Sequence, residues 1–369
     1  MHFLLSLIPT VVVLGLLILI HELGHFIACR LSGVRVEKFS IGFGPEIFNF
    51  MSGGTAFVIS LLPLGGFVKP AGEVLSEVKG EKPSKGDYLA APLISKILIV
   101  AAGVIMNYLL AFALFTWIFV IGRPIPGTVI GGFVEGYPAK TSALVAGDRI
   151  ARINGKKVGT WQELTDGINR SAGTGLILTV ERQGKTGAFY DVHLFPQVEG
   201  TKDMFGKPMT VKRLGITPSP EAHVFEKYPL RQAFVKAADS VMTLAAMTHK
   251  AIFYMLTGRL SFRTMSGPIG IIAMTGSAAK LGLPYVLQLA ATLSVSLAVI
   301  NLLPIPALDG GHLFFLLLEA VTRRRLSYAV QERITQIGFA LLMVLMVFVI
   351  YNDLVNLSVF EKVKHFFMK

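Results

Sequence analysis

The sequence contains one pentapeptide whose residue types and spacing could carry out hydrolysis: His21-Glu22-Leu23-Gly24-His25. It continues an uncharged apolar run from Phe3 to Ile20, which is long enough to cross a membrane as a helix. In a helix, the two histidines lie one turn apart on one face and can occupy two positions of a tetrahedral zinc site. Glu22 between them could act as general base on a zinc-activated water.

The alternative interpretation of this pentapeptide is a chance match at the hydrated end of a helix. Ionisable groups at membrane depth are costly, however, and three of them in five residues need a function. The pattern therefore favours a zinc site, which requires a third ligand from elsewhere in the chain.

A second polar cluster lies in a later apolar run, from about Pro284 to Leu318. Its sequence from Asn301 to His312 is NLLPIPALDGGH, and the two prolines break the helix. Broken backbone at membrane depth is tolerated where it is buried in protein or lines a cavity. An Asp309 anion there needs a cation, so we expect Asp309 to be the third zinc ligand. His312 is the competing ligand, or a partner of the carboxylate.

Composition places the chain in a membrane. Of its 369 residues, 53% are hydrophobic and 16% charged, which is too apolar for an ordinary soluble enzyme. The formal charge of +12 is typical of loops held at an anionic cytoplasmic lipid surface. No basic helix or basic–aromatic array is present, so we expect no nucleic-acid partner. The single cysteine, Cys29, cannot form an intrachain disulfide and is interpreted as a small apolar residue.

The hydropathy pattern predicts about four transmembrane helices. After the first, a second run extends from Pro92 to Ile121, and its small residues 101–103 allow another helix to approach closely. Asn107 in this run is interpreted as a helix–helix contact in preference to an active-site residue. The third run is 284–318, and the fourth extends from Ile334 to Ile350.

Residues 34–61, between the first two runs, alternate in polarity around a Ser52-Gly53-Gly54 turn. This pattern predicts a β-hairpin. The hairpin is unusually apolar, so we expect it to lie beside the membrane and to offer a strand edge to substrate, with Ile59 as an edge residue. The alternative is a hairpin that only packs on the protein.

The region 124–220 is more polar and alternates strand-like pieces with two short helices, expected at Ala139–Leu144 and Thr160–Asn169 with Thr160 as N-cap. Its YPA, GD-x-I and ING elements, between Tyr137 and Val158, resemble a PDZ domain. Such domains bind extended peptides by strand addition, so a peptide ligand is possible; the alternative is a domain that only shields access. Residues 226–258 predict an amphipathic surface helix, and 266–270 a turn.

The sequence therefore predicts a polytopic α-helical membrane protein with a membrane-associated β-hairpin and one inserted PDZ domain. Four regions follow: 1–123 with HExxH and the hairpin, 124–220 as the PDZ domain, 221–283 as amphipathic helix and linker, and 284–369 with the last two spans. Charge places the loops 30–92 and 319–333 in the cytoplasm and the PDZ domain outside. The pentapeptide and Asp309 then share the cytoplasmic half of the membrane.

With the HELGH pentapeptide and the Asp309 segment taken together, the chain resembles the site-2 proteases, and among them the bacterial regulator of sigma-E protease type. The resemblance covers nearly the whole chain and rests on these motifs: HELGH, GFGP, PLGGFVKPAGE, AAGVIMN, the PDZ-like string, SGPIGI and NLLPIPALDGG. Two departures are visible. Members of this type often carry two PDZ domains, whereas this chain has room for one, and Val104 stands where the family usually has proline.

The resemblance implies a zinc metalloendopeptidase that cuts inside the bilayer. His21, His25 and Asp309 would bind Zn²⁺, Glu22 would activate water, and Asn301 would hold the substrate backbone or stabilise the oxyanion. Substrates would be single-pass membrane proteins such as anti-sigma factors, or remnant signal peptides. Two other function classes are a membrane PDZ scaffold with a structural metal, for which Glu22 would be dispensable, and a metal transporter that uses the same His and Asp residues.

Overall fold

The computed structural model describes residues 2–73, 83–171, 175–182, 189–202, 206–324 and 327–356. They form two compact units. The first comprises Met1–Ile118, Leu230–Phe253 and Ser261–Lys369, and the second comprises Phe119–Pro229 and Tyr254–Leu260. The second unit thus extends to Pro229, past the expected boundary at 220.

Within the described residues, four helices are long and apolar enough to cross a membrane: Ser6–Leu31, Leu93–Ile121, Leu283–Leu302 and Ala329–Asn356. This agrees with the expectation of about four spans in a multi-pass membrane protein. The α-helices of the described residues are, in chain order, α1 (His2–Leu31), α2 (Leu93–Ile121), α3 (Trp161–Arg170), α4 (Leu230–Leu256), α5 (Pro268–Leu281), α6 (Leu283–Leu302), α7 (Asp309–Thr322) and α8 (Tyr328–Asn356).

Helix α1 continues without interruption from the apolar run through the HExxH pentapeptide. It stops at Gly33, whose φ of 72° is a left-handed conformation that glycine adopts without a Cβ clash. The Gly33 N–H donates to the carbonyl of Arg30, which satisfies one of the last carbonyls of the helix. The five motif residues therefore lie on regular helix, as their spacing predicts.

The third apolar run is two helices and not one. Helix α6 ends at Leu302 and α7 begins at Asp309. Pro304 and Pro306 lie in the intervening turn, where Ala307 has a φ of 81°. Gly310 makes the tight return possible, because a Cβ there would lie 2.2 Å from the carbonyl oxygen of Leu303. The expected break is present, and it places Asp309 at the first turn of α7.

The expected turn at 266–270 is the start of a helix, α5, that the sequence analysis missed. Its cap comes from α8: the Asp353 carboxylate accepts the N–H groups of Gly267 and Gly270, each at 2.9 Å. An acidic side chain at a helix N-terminus satisfies free N–H donors and complements the helix dipole. Pro268 at the first helical position is the local signal for this helix start, whereas the side chain that caps it lies far away in the sequence.

The expected hairpin is larger than residues 34–61. It consists of β1 (Val36–Ser52) and β2 (Thr55–Pro70), joined at Gly53-Gly54 as predicted. Residues 38–41 pair with 56–59 on one side and with 66–69 on the other. Residues 46–52 pair with the other side of 55–60. The two long strands therefore make a sheet of four rows in which neighbouring rows are antiparallel. The outer rows are 66–70 and 46–52.

The second unit is a small α/β fold around α3. Its buried core includes Ile150, Leu164, Leu176, Leu178 and Val180. Strand β9 pairs with β10, β4 with β11 and β3 with β12, while the largest sheet has the order β6-β5-β7-β8. The strands are β3 (Arg123–Pro126), β4 (Ile130–Phe133), β5 (Arg149–Ile153), β6 (Lys156–Lys157), β7 (Leu176–Glu181), β8 (Phe189–Leu194), β9 (Gln197–Lys202), β10 (Pro208–Arg213), β11 (Ile216–Pro218) and β12 (His223–Glu226).

Local sequence signals predicted some elements of this unit and not others. Thr160 caps α3 as predicted, and Glu163 completes a capping box. The helix expected at Ala139–Leu144 is instead a short 3₁₀ turn at Pro138–Thr141. The β9–β10 hairpin was not predicted.

Asp148 ties the second unit together at the centre of its expected GD-x-I element. Its carboxylate accepts hydrogen bonds from the Val145 N–H, from Arg182 and from the Tyr190 hydroxyl. Burial acts to raise the pKa of Asp148, but these donors outweigh it and hold the pKa below the usual value. Burial and the neighbouring carboxylate raise the pKa of Tyr190 to about 12. The aspartate therefore stays ionised and the tyrosine stays a donor at neutral pH.

Candidate metal centre

Three side chains from α1 and α7 converge on one point. His21 Nε2 lies 3.1 Å from Asp309 Oδ2, and His25 Nε2 lies 3.5 Å from the same oxygen. The two Nε2 atoms are 3.3 Å apart. Among the described residues these are the only three whose ligand atoms, all within 4.8 Å of one another, could hold a metal ion. The structure thus brings together the three residues that the sequence analysis expected to bind metal.

The chemistry of this set fits zinc. Two imidazole nitrogens and one carboxylate oxygen are a ligand set that leaves a fourth tetrahedral position open. Asp309 Oδ2 is buried and accepts no hydrogen bond from the described residues. A buried carboxylate oxygen without a donor is costly, and a bound cation removes that cost.

The imidazole of His25 is oriented by α2. Its Nδ1 lies 2.8 Å from the carbonyl oxygen of Ile99, a contact in which Nδ1 must carry the proton and donate. Nε2 then keeps its lone pair and faces Asp309. Close approach of α2 depends on small residues, because a Cβ at Gly24 would lie 2.5 Å from the Ala102 carbonyl oxygen. Of the small residues 101–103, Gly103 allows the close approach that the sequence indicated, because a Cβ there would lie 2.3 Å from His25 Nε2.

His21 is in contact with two asparagine side chains. Asn107 Nδ2 lies 3.3 Å from His21 Nδ1, and Asn301 Nδ2 lies 3.3 Å from His21 Nε2. The side chain of Asn107 on α2 contacts His21 on α1, so it joins two helices as interpreted, and it also reaches the metal centre. Its backbone carbonyl joins α2 to α6 by accepting a hydrogen bond from Ser294. Nothing in the sequence pattern alone distinguished the two roles.

Glu22 is buried beside the metal centre and is not one of its three ligands. A Cβ at Gly66 would lie 3.0 Å from Glu22 Cγ, so the last row of β2 passes directly against this side chain. The backbone of Val68 in that row faces the carboxylate. Glu22 therefore lies between the metal ligands and β2, and its side chain lines the same cavity as the ligands.

Ile59 does not lie at a strand edge. It pairs with Ile41 on one side and with Phe48 on the other, so its row is internal to the sheet. The expected edge role fails because β1 pairs with both sides of this row, through residues 38–41 and 46–52. The edge row that lines the cavity of the metal centre is 66–70.

His312 is not part of the metal-ligand set. It lines a cavity of about 730 Å³ that also contains His21, Glu22, His25 and Asp309. Polar residues of α7 and α8 line the same cavity, among them Glu319, Glu332 and Gln336. The centre therefore lies in a partly polar cavity that water can enter, within a unit built of membrane-type helices.

Gly103 contributes space for the two imidazole rings, which the sequence did not predict. A Cβ at this position would lie 2.3 Å from His25 Nε2 and 2.7 Å from His21 Cε1. The absence of a side chain on α2 leaves room for both imidazoles. The only signal in the sequence was that Gly103 is small.

Comparison with known proteins agrees with this geometry. The model of the family described as "Peptidase family M50" matches residues 9–345. The chain is 34% identical over 363 residues to "Putative zinc metalloprotease Atu1380" of Agrobacterium fabrum, covering 95% of this chain and 96% of that protein. It is 33% identical over 347 residues to a Campylobacter jejuni protein of the same descriptive name, covering 94% and 92% of the two chains. A Clostridium acetobutylicum relative, again with that name, is 33% identical over 350 residues and is covered to 97%. With the family model spanning most of its length and these relatives covered almost end to end, the chain belongs to peptidase family M50, the site-2 proteases, and is a zinc metalloprotease.

Proposed function

We propose that this protease cuts peptide bonds within the transmembrane segments of single-pass membrane proteins. The observation that carries the proposal is the His21–His25–Asp309 cluster with Glu22 beside it, in a polar cavity among helices that can span a membrane. Hydrolysis needs water, and a polar cavity at membrane depth supplies it where lipid does not.

The residues divide the chemistry between them. Zinc held by His21, His25 and Asp309 would supply a Lewis acid that polarises the scissile carbonyl and makes a water easier to ionise. Glu22 takes a proton from the attacking water and passes it to the leaving amine. Asn301, whose amide nitrogen points at the same centre, donates a hydrogen bond to the oxygen that becomes negative in the transition state.

Residues 66–70 form the outer row at which a substrate strand could add, whereas Ile59 lies in an internal row. A transmembrane helix must unwind before it is cut, and its backbone then needs new hydrogen-bond partners. The outer side of this row faces Glu22, so a substrate strand added there would pass the metal centre.

The second unit is proposed to be the PDZ domain that its sequence resembles. The support is the order of its elements: the Pro138 turn, Asp148 with β5, and the Thr160-capped α3 follow the motif elements quoted from the sequence. Its role would be to bind or exclude the polypeptide outside the membrane. Similarity to bacterial proteins supports a bacterial inner-membrane location. Loop charge supports an orientation with this unit outside and the metal centre in the cytoplasmic half. Anti-sigma factors or remnant signal peptides are substrates of suitable form.

The decisive experiment compares wild type with Glu22→Gln on a tagged single-pass substrate in detergent, with zinc content measured in both. Glu22→Gln should lose cleavage by at least about 10²-fold, because the general base is gone, and should keep its zinc, because Glu22 is not a ligand. Glu332→Gln is the matched control, since it removes another carboxylate that lines the same cavity.

Equal cleavage by wild type and Glu22→Gln would contradict the proposal. Zinc flux across sealed vesicles without any proteolysis would favour a transporter instead. Loss of zinc from Glu22→Gln would show that the glutamate is a ligand and that its assigned role is wrong.

A further inference from the structure

Asn107 is a buried polar residue beside the metal centre that the proposed mechanism does not use. Its side chain is fully buried on α2, and its Oδ1 atom has no hydrogen-bond partner among the described residues. A buried amide oxygen without a donor costs about 1–3 kcal/mol. The other end of the same amide lies 3.3 Å from His21 Nδ1.

The hydrogen bonds around His21 conflict as they stand. With Asn107 Nδ2 donating to Nδ1, the ring proton must be on Nε2. That nitrogen faces Asn301 Nδ2, which is also a donor, and it is the nitrogen that a metal ion would need unprotonated. A neutral imidazole cannot accept at both nitrogens.

Rotation of the Asn107 amide by 180° removes the conflict. It exchanges Oδ1 and Nδ2, which have the same shape, without moving any other atom. Oδ1 then accepts from His21 Nδ1–H, the amide NH₂ takes the former place of the oxygen, and Nε2 presents a lone pair to the metal. His25 already has this arrangement, because its Nδ1 faces the Ile99 carbonyl on the same helix.

We propose that Asn107 is a positioning residue that accepts the Nδ1 proton of His21 and so fixes the imidazole in its metal-binding tautomer. Helix α2 then supplies the acceptors for both histidine ligands, one from backbone and one from a side chain. Acceptors of this kind hold the ring in place and raise the basicity of the ligating nitrogen. The inference rests on the proposed roles of His21 and His25 as ligands.

The test is zinc affinity of the full-length protein in detergent, measured by competition with a chromogenic chelator. Asn107→Leu keeps the size and removes the acceptor, and should weaken zinc binding about 10- to 100-fold. Asn107→Asp keeps an acceptor at the same place and should bind zinc nearly as tightly as wild type. Cleavage by the two variants should follow the same order.

Two controls separate positioning from helix packing. Ser294→Ala removes the hydrogen bond to the Asn107 backbone carbonyl and should leave zinc affinity unchanged, even if thermal stability falls. Thr116→Val removes another buried polar atom of α2 for which the described part of the chain offers no hydrogen-bond partner, and it should leave zinc affinity unchanged.

The inference is overturned if folded Asn107→Leu binds zinc like wild type, or if Asn107→Asp is folded and loses zinc affinity. Should Asn107→Leu fail to fold, Asn107→Asp decides alone. His25→Ala distinguishes this failure from failure of the ligand assignment. If His25→Ala still binds zinc like wild type, the ligands are wrong; if it loses zinc while Asn107→Leu does not, only the positioning role is wrong.

Discussion

Gly103 sets the distance between α2 and the two histidine side chains. A methyl group on this residue would overlap Nε2 of His25 and Cε1 of His21. Both imidazole rings would have to move for the methyl group to fit. Their movement would separate the ligand atoms from Asp309. A residue that takes no part in the chemistry therefore controls the geometry of the centre.

We accordingly expect Gly103→Ala to lower zinc affinity by about tenfold or more and to lower cleavage in parallel. Gly15→Ala in α1 is the matched control, because a Cβ at Gly15 meets no atom within 4 Å. Chelator competition and a thermal unfolding scan of both variants check this. Wild-type zinc affinity in a folded Gly103→Ala protein would show that the imidazoles can shift without loss of the site.

Residue types alone identified the expected metal ligands but not the contacts that position them. His21, His25 and Asp309 could be paired because buried ionisable groups in membrane helices need partners, and the structure does bring them together. The second contacts of those side chains were invisible, because they involve a backbone carbonyl at Ile99, an amide at Asn107 and an empty space at Gly103. None of these has a spacing pattern in the sequence.

At the scale of elements, local signals predicted what is local. The Gly53-Gly54 turn and the Thr160 cap are set by neighbouring residues, and both lie where the sequence indicated. The fourth row of the hairpin sheet and the start of α5 depend on distant partners, residues 36–41 in one case and Asp353 in the other. The fourth row could not be read from local sequence, and only Pro268 gives a local signal for α5. The placement of Ile59 at an edge was wrong because β1 pairs with both sides of its row.

The proposed substrate edge at residues 66–70 can be tested by a change of backbone. Val68→Pro removes the backbone N–H that faces Glu22, so it removes a hydrogen bond to that carboxylate as well as a donor that an added strand could use. We expect cleavage of a transmembrane substrate to fall about tenfold or more, with zinc content unchanged. Val68→Ala removes the side chain and keeps the N–H, and should cleave nearly like wild type. An equal loss in both variants would mean that the Val68 side chain matters and the backbone edge does not.

At the scale of the whole molecule, the two halves of the metal centre come from opposite ends of the chain. Helix α1 supplies the histidines near the N-terminus, and α7 supplies Asp309 after a second unit has been inserted between α2 and α4. For both to reach one depth, the number of spans between them must place them on the same side of the membrane. The charge of the loops predicts which side: Lys and Arg accumulate where loops remain in the cytoplasm.

Single-cysteine labelling tests this orientation directly, because the chain has one native cysteine and it is fully buried. In a Cys29→Ala background, the exposed positions Lys85, Lys156 and Arg324 are replaced by cysteine one at a time. A membrane-impermeant maleimide added to intact spheroplasts should label only Lys156→Cys, in the second unit. Lys85→Cys and Arg324→Cys, in the two basic loops, should be labelled only after the membrane is opened. The reverse pattern would invert the proposed topology. Labelling of Lys85→Cys and Arg324→Cys from opposite sides would be more damaging, since α1 and α7 could not then supply one metal centre at one membrane depth.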